Sequence, residues 1–268
     1  MPSAESPRTG PRDPESYPLE RRTFWPWRLI AAIVLPWLSW VAKVDWIHLE
    51  RLPRRGPFVL AANHYSELDV LYMVELIWRI GRLPRFLAKA SIWKIPVVGR
   101  IMTDSQQIKV EREGSGAGSI RAAEQIIADG SAVVVYPEGT LTREPDLWPM
   151  RGKTGAARIA LEAGVPVIPV AHWGIQGIMP RYGKIKLFGR RRPVSVLVGE
   201  PVDLDQWRGK PLDQKTLTEA TEAIMAAITV LLEELRGEQA PAERYDPVKH
   251  GQSEHGNLQK AAKRAKRP

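Results

Sequence analysis

Short apolar segments that end abruptly in polar turn residues constrain the fold of this chain more than any other feature. Residues 58–62 have the length and composition of a buried strand, and Asn63 and His64 follow them at once. Residues 69–78 then read as a mostly apolar helix, and a second apolar segment, residues 133–136, ends in the same abrupt way. This alternation predicts a single α/β domain in which helices flank a central mixed sheet. Polar residues at such strand ends are where α/β proteins place their sites.

The pair His64 and Asp69 has the residue types needed for general base catalysis. A neutral imidazole can accept a proton from a hydroxyl near pH 7, and a nearby carboxylate can orient the ring and favour the imidazolium that forms. The chain has no Gly-x-Ser-x-Gly motif and no cysteine, so the activated hydroxyl is expected to belong to a substrate. The spacing alone is also consistent with a helix-capping Asp beside an ordinary loop His.

Four motifs in a fixed order resemble the glycerolipid acyltransferases, specifically the 1-acylglycerol-3-phosphate O-acyltransferase family. The first motif of that family is His-x-x-x-x-Asp, and the third is Phe-Pro-Glu-Gly-Thr-Arg-Ser, which residues 136–142 match as Tyr-Pro-Glu-Gly-Thr-Leu-Thr. The second motif ends in an Arg after a short strand, for which residues 108–112 are the candidate. The fourth is an apolar strand with two prolines, matched by residues 165–170. The resemblance covers roughly residues 45–200.

The resemblance implies an acyl transfer by single displacement. His64 would accept the proton of the acceptor hydroxyl as that hydroxyl attacks the thioester of acyl-CoA or acyl carrier protein, and Asp69 would orient His64. The implied acceptor is a lysophospholipid, foremost 1-acylglycerol-3-phosphate, which would yield phosphatidic acid. Glycerol-3-phosphate and other lyso-lipids stay open as acceptors. No metal or other cofactor is expected beyond the thioester co-substrate.

The resemblance also implies residues that bind the acceptor. Where the family's third motif has Arg, this chain has Leu141, and Arg143 could supply the missing charge. Charge-assisted hydrogen bonds from basic side chains suit a phosphate. The expected phosphate ligands are Arg112, Lys89 and Arg143, and the expected residues shaping the acceptor site are Glu138, Gly139 and Thr140.

Charge and composition narrow the class of partner. A net charge of +9 and a pI near 9.8 indicate an anionic partner, such as an anionic lipid surface, nucleic acid or an acidic carrier protein. The absence of cysteine excludes a disulfide scaffold and fits a reducing cytoplasm. The basic residues are scattered or lie in tails without a stacking-aromatic motif, so a nucleic-acid partner is not expected. A basic membrane- or nucleic-acid-binding protein without enzymatic activity is the alternative.

The first apolar segment of the chain, which ends at residue 42, predicts how the protein associates with a membrane. Residues 29–42 would span only ~21 Å as a helix, against a hydrocarbon core of ~30 Å. Four Trp between positions 25 and 40 suit a membrane–water interface. An interfacial or re-entrant helical segment is expected, with a true span or a buried core helix as alternatives. The expected location is the cytoplasmic face of the cell membrane, as a peripheral or monotopic protein.

The domain organisation follows from these segments. Disorder is predicted for residues 1–20, a membrane-interfacial helical segment for 21–42, the acyltransferase domain for 43–236 and a disordered basic tail for 237–268. Within the domain, residues 91–99 are either core or a guide for an acyl chain. Residues 184–188 and 193–198 are predicted to form a hairpin across a basic turn, which is either a solvated loop or a contact for phosphate.

Three further interpretations concern a metal site, a phosphate-binding loop and the role of one histidine. His64 and Glu67 have the spacing of half a di-iron motif, whose second half is absent. Residues 114–118 are rich in glycine but lack the Lys-Ser/Thr ending of a phosphate-binding loop. His172, at the end of the fourth-motif strand, is either a structural histidine or a residue that reaches the site.

Overall fold

A seven-stranded mixed sheet with helices on both faces forms the body of the molecule. The structure is a computed structural model that describes residues 11–17, 25–110, 117–186 and 189–253. Its helices are α1 (Trp25–Val41), α2 (Asp69–Arg79), α3 (Pro96–Asp104), α4 (Ala117–Asp129), α5 (Gly155–Ala163) and α6 (Gln214–Arg236). Its strands are β1 (Ala42–Ile47), β2 (Phe58–Ala62), β3 (Pro84–Lys89), β4 (Ile108–Val110), β5 (Ala132–Val135), β6 (Val167–Trp173) and β7 (Arg192–Val198).

The strand order is β1-β7-β6-β2-β5-β3-β4. Strands β2 to β6 run parallel where they pair, β7 is antiparallel to β6, and β1 is parallel to β7. The carboxyl ends of β2, β3, β5 and β6 therefore share one edge of the sheet with the amino ends of β1 and β7. We call this edge the site edge. The mixed α/β domain predicted from the sequence is confirmed.

The position of the central strand β2 explains why its sequence is apolar throughout. All five of its residues are buried, because helices cover both faces of the sheet. Alternate residues face opposite cores: Phe58 and Leu60 join the core that contains α2, whereas Val59 and Ala61 join the core that contains α5 and α6. The strand is thereby fixed in register, which places the residues that follow it at a defined point.

The longest helix of the described chain, α6, lies near the carboxyl end of the domain. Its first turn is capped by Asp213, whose carboxylate accepts a hydrogen bond from the Thr216 backbone N–H. It ends at Gly237, which has a φ of +65°, a left-handed conformation that glycine adopts without steric cost. The apolar face of α6 packs against the sheet, as its sequence period predicts.

The structure corrects the predicted hairpin across residues 189–192. Residues 184–186 lie in no strand, while 187 and 188 are outside the described residues. Strand β7 pairs with β1 and β6 instead, so both of its edges are occupied. A sequence period identifies a strand but not its partner, and here the partners come from distant parts of the chain.

The terminal segments differ from the predicted disorder over their described parts. In the amino-terminal segment Tyr17 is buried and packs beside Gly130. After Gly237, the backbone carbonyl of Tyr245 accepts a hydrogen bond from the Arg151 N–H at 2.8 Å. A buried aromatic ring and a backbone contact to the domain explain the difference. Residues 1–10, 18–20 and 254–268 lie outside the described residues.

The apolar segment before the domain is helical, as predicted, over Trp25–Val41. Its end belongs to the core, since Leu38 and Val41 are buried, whereas Ile33 and Trp40 are exposed. Among the described residues, no helix combines the length and apolar character needed to cross a bilayer.

Candidate active site

The site lies where β2 and β5 end. Asn63 and His64 follow β2 directly, Asp69 is the first residue of α2, and the turn after β5 carries Glu138 and Gly139. Because β2 and β5 are adjacent and parallel, their carboxyl ends bring the two turns together. The two motifs that the sequence places about 70 residues apart thus form one site.

His64 and Asp69 form a hydrogen-bonded pair. His64 Nδ1 lies 3.2 Å from Asp69 Oδ2, and the same oxygen accepts hydrogen bonds from the backbone N–H groups of Tyr65 (2.8 Å) and Ser66 (2.9 Å). Asp69 is fully buried, whereas the His64 side chain keeps 15% of its exposure. With the Nδ1 proton held by the carboxylate, Nε2 is the ring's hydrogen-bond acceptor. The pair can therefore accept a proton from a molecule that enters from solvent.

Glu138 links the turn after β5 to the turn after β2 by hydrogen bonds. Its carboxylate accepts hydrogen bonds from the backbone N–H groups of His64 and Met150, each at 3.1 Å. The backbone N–H of Thr142 in turn donates to the His64 carbonyl at 2.6 Å. Both Glu138 oxygens are engaged and the side chain is buried. The prediction that Glu138 shapes the acceptor site is thus refined, because it acts through the backbone of His64.

Burial raises the pKa of Glu138 to about 8, against the opposing effect of its two backbone N–H donors. The folded protein then retains a proton that the unfolded chain releases between about pH 4.5 and pH 8. We expect the unfolding free energy of the wild type to fall with rising pH in this window, relative to Glu138→Gln, by up to ~1.4 kcal/mol per pH unit. Denaturant unfolding of both proteins at several pH values measures this difference, and parallel profiles would contradict it.

An open cavity of about 340 Å³ lies beside His64. The Tyr136 ring stacks on the imidazole, with 4.0 Å between ring centroids and 19° between planes. Gly139 has a φ of +71°, and a Cβ at that position would lie 3.0 Å from Cδ of Lys153. Both Gly139 and Lys153 line the cavity. Glycine at this turn therefore lets the Lys153 stem approach the site.

Lys153 and Tyr136 are site residues that the sequence reasoning did not select. Tyr136 occupies the motif's aromatic position, and Lys153 lies beyond the motif, just before α5. A basic residue just before a helix that follows a catalytic turn was the available signal for Lys153. Its closeness to Gly139 is a tertiary contact that no local pattern specifies.

His172 lies beneath the pair, in β6, and is fully buried. Its Nε2 lies 2.8 Å from the Asn63 carbonyl and 3.8 Å from Asp69 Oδ2, and the Asn63 side-chain amide bonds both the carbonyl (3.1 Å) and the N–H (3.0 Å) of His172. Burial lowers the pKa of His172, so the ring is neutral at pH 7. Of the two roles left open for His172, it takes a structural one next to the site.

Four other residues are predicted from the sequence to bind or shape the acceptor site: Thr140, Arg143, Lys89 and Arg112. Arg143 is buried and, like Thr140, is not among the described residues that line the cavity. Leu141 is only 5% exposed, so Leu141→Arg would place a cation in the interior instead of restoring a phosphate ligand. Lys89 ends β3 at the site edge, although its side chain is outside the described residues. Arg112 lies outside the described residues altogether.

Metal binding was one of the alternatives for this site. Within the described part of the chain, no group of three or more His, Asp or Glu side chains could hold a metal ion. The Glu67 carboxylate accepts a hydrogen bond from the Tyr182 N–H at 3.3 Å, and it does not join His64 in such a group.

Comparison with known proteins identifies the same region. The family model described as Acyltransferase matches residues 43–173. The chain is 33% identical over 141 residues to the chloroplastic 1-acyl-sn-glycerol-3-phosphate acyltransferase BAT2 of Brassica napus, covering 52% of this chain and 39% of that protein. It is 29% identical over 185 residues to the 1-acyl-sn-glycerol-3-phosphate acyltransferase of Bacillus subtilis, covering 68% of this chain and 84% of that protein.

A solved structure shares the fold. The crystal structure of the 1-acyl-sn-glycerophosphate (LPA) acyltransferase PlsC from Thermotoga maritima aligns with a TM-score of 0.56 and 25% identity, covering 80% of this chain and 81% of that one. The chain spans about two fifths of the Brassica protein but about four fifths of the bacterial proteins from Bacillus and Thermotoga. The family model's range, residues 43–173, includes both the turn after β2 and the turn after β5.

Proposed function

We propose that the chain is a member of the 1-acylglycerol-3-phosphate O-acyltransferase family and that it moves a fatty acyl group from a thioester donor to the hydroxyl of 1-acylglycerol-3-phosphate. The product is phosphatidic acid, an intermediate of phospholipid biosynthesis. The observation that carries this proposal is the His64–Asp69 hydrogen bond at the rim of an open cavity. Several relatives of the chain are named for this activity, which supports the proposal.

The proposed reaction is a single displacement. His64 Nε2 accepts the proton of the acceptor hydroxyl as the hydroxyl oxygen attacks the thioester carbonyl carbon. The tetrahedral intermediate then collapses with loss of the thiol, and the imidazolium returns its proton to the departing sulfur. Asp69 holds the Nδ1 proton and stabilises the imidazolium, while no covalent acyl-enzyme forms. The donor is acyl-CoA or acyl carrier protein, and no metal or redox cofactor takes part.

One experiment tests the function directly. Purified protein is offered lysophosphatidate, glycerol-3-phosphate and a neutral lyso-lipid together with palmitoyl-CoA or palmitoyl carrier protein, and products are identified by mass. Phosphatidic acid formed from lysophosphatidate at the highest kcat/KM supports the proposal. Preference for glycerol-3-phosphate would favour the alternative acceptor, and no product from any pair would overturn the enzymatic assignment.

We propose that Lys153 and Arg112 bind the acceptor phosphate, with Lys89 at the end of β3 as a third basic residue at the site edge. Lys153 lines the same cavity as His64. We expect Lys153→Met or Arg112→Ala to raise KM for the phosphorylated acceptor ~10–100-fold, because each removes a charge-assisted hydrogen bond. KM for the thioester should stay the same. The exposed Lys210→Met is the matched control, and an equal loss toward a phosphate-free acceptor would contradict the assignment.

We further propose that the protein works as a monotopic enzyme on the cytoplasmic face of the membrane, docked by α1. Deleting α1 would also remove the buried Leu38, so exposed residues are the better targets. We expect Ile33→Glu/Trp40→Glu to reduce co-sedimentation with anionic liposomes ~10–100-fold, because each change removes an apolar contact with the bilayer. The exposed Val248→Glu is the control. Unchanged sedimentation of the double variant would show that α1 does not dock.

A further inference from the structure

Helix α3 carries an apolar face that no described element covers. Val97 is 72% exposed, Ile95 52% and Ile101 43%. Val97 and Ile101 are four residues apart and therefore project from the same side of the helix. Beside them, the charges of Arg100 and Asp104 are paired at 2.8 Å. We call Ile95, Val97 and Ile101 the α3 face. Of the two interpretations open for residues 91–99, ordinary core does not fit the exposure of Ile95 and Val97.

The topology places the start of α3 at the site edge. Strand β3 ends there at Lys89, and a 3-10 turn over Ala90–Lys94 leads from it directly into α3. The carboxyl end of α1 lies on the same edge, because Val41 is followed at once by β1, which starts there. The two apolar elements therefore reach the edge that carries His64 from opposite ends of the sheet.

A basic segment lies next to the end of α1 at this edge. Residues 184–192, which lead into β7, include exposed Lys184, Lys186, Arg190 and Arg192, and they contain no acidic residue. The guanidinium of Arg191 donates to the Ala42 carbonyl at 2.9 Å, so this segment contacts the residue that follows α1. Exposed cations that share an edge of the sheet with exposed aliphatic side chains are complementary to a surface with anionic headgroups above an apolar interior.

We propose that the α3 face inserts into an anionic lipid bilayer beside the site edge, while the basic segment binds lipid phosphates. This inference rests on the proposed function and goes beyond it, since it adds a second membrane contact to α1 and fixes the orientation of the domain. Two contacts on one edge turn the cavity beside His64 toward the lipid. A lysophospholipid then reaches His64 with its acyl chain still largely in the bilayer.

Insertion can be measured by site-specific labelling, because the chain has no cysteine of its own. Val97→Cys and Ile101→Cys are labelled with an environment-sensitive fluorophore, with Val230→Cys, a 60% exposed position on α6, as the matched control. On adding phosphatidylcholine–phosphatidylglycerol vesicles, we expect a blue shift and a severalfold intensity gain at 97 and 101 but not at 230. No change at 97 and 101 under conditions where the protein sediments with vesicles overturns the proposal. A change that follows protein concentration without vesicles, as self-association would produce, overturns it as well.

A charge variant tests the consequence for activity. We expect Val97→Glu/Ile101→Glu to lower vesicle binding and transfer to bilayer-embedded acceptors ~10–100-fold, because both side chains leave the apolar phase. Transfer to a short-chain, water-soluble acceptor should match wild type, and Val230→Glu should match it with both acceptors. Wild-type vesicle binding by the double variant overturns the membrane inference alone. Absence of transfer by the wild type even to the soluble acceptor would instead overturn the proposed function.

Discussion

His64→Ala is expected to lower turnover ~10²–10⁴-fold, the usual contribution of a positioned general base. His64 lines the cavity, and because its Nδ1 is held by Asp69 at 3.2 Å, Nε2 is the ring nitrogen left to accept a proton. Alanine removes the proton acceptor but leaves the backbone N–H that Glu138 binds at 3.1 Å. The turn should therefore keep its shape. Steady-state kinetics with saturating acceptor and thioester measure the loss.

His250→Ala is the matched control, since His250 is exposed and lies in the segment after α6. Both variants should unfold within a few degrees of the wild type, which thermal unfolding followed by circular dichroism checks. Near-wild-type turnover by His64→Ala would exclude His64 as the base. A large fall in melting temperature for His64→Ala would instead mean that the loss reflects folding.

Asp69→Asn is expected to reduce turnover by a similar ~10²–10⁴-fold, because the neutral amide no longer stabilises the imidazolium. Asp69 Oδ2 accepts hydrogen bonds from Tyr65 N, Ser66 N and His64 Nδ1, and an amide oxygen in that place could accept all three. The other oxygen, Oδ1, is buried and has no hydrogen-bond partner among the described residues. An amino group there would be buried without an acceptor, so we also expect ~1–3 kcal/mol of destabilisation.

Asp213→Asn separates the two effects. Like Asp69, Asp213 sits at the start of a helix and accepts a backbone N–H, but it is remote from His64. Its loss should alter stability slightly and leave turnover unchanged. If Asp69→Asn retained most of its turnover while remaining folded, then the carboxylate would serve only to hold the turn before α2 through the N–H groups of Tyr65 and Ser66.

The sequence by itself determined most of the elements and the pairing of His64 with Asp69. An apolar five-residue segment followed by Asn-His specified β2 and its exit, because a strand buried on both faces must be apolar throughout. The four-residue gap between His64 and Asp69 is short enough for one turn to span, so their contact is local. Matching of the Pro-Glu-Gly-Thr motif placed Glu138 in the site, again without any knowledge of the strand order.

Only the tertiary structure decided which distant residues meet at that site. The pairing of β7 with β1 and β6, and the packing of Lys153 against Gly139, join segments far apart in the chain. Local patterns encode which face of an element is apolar, but not which other element covers that face. The same reason applies to residues 91–99, whose apolar sequence fits a core or a surface equally well. Residues of α3 belong to neither of the two main hydrophobic cores. Val97 is therefore exposed, because no described element packs over it.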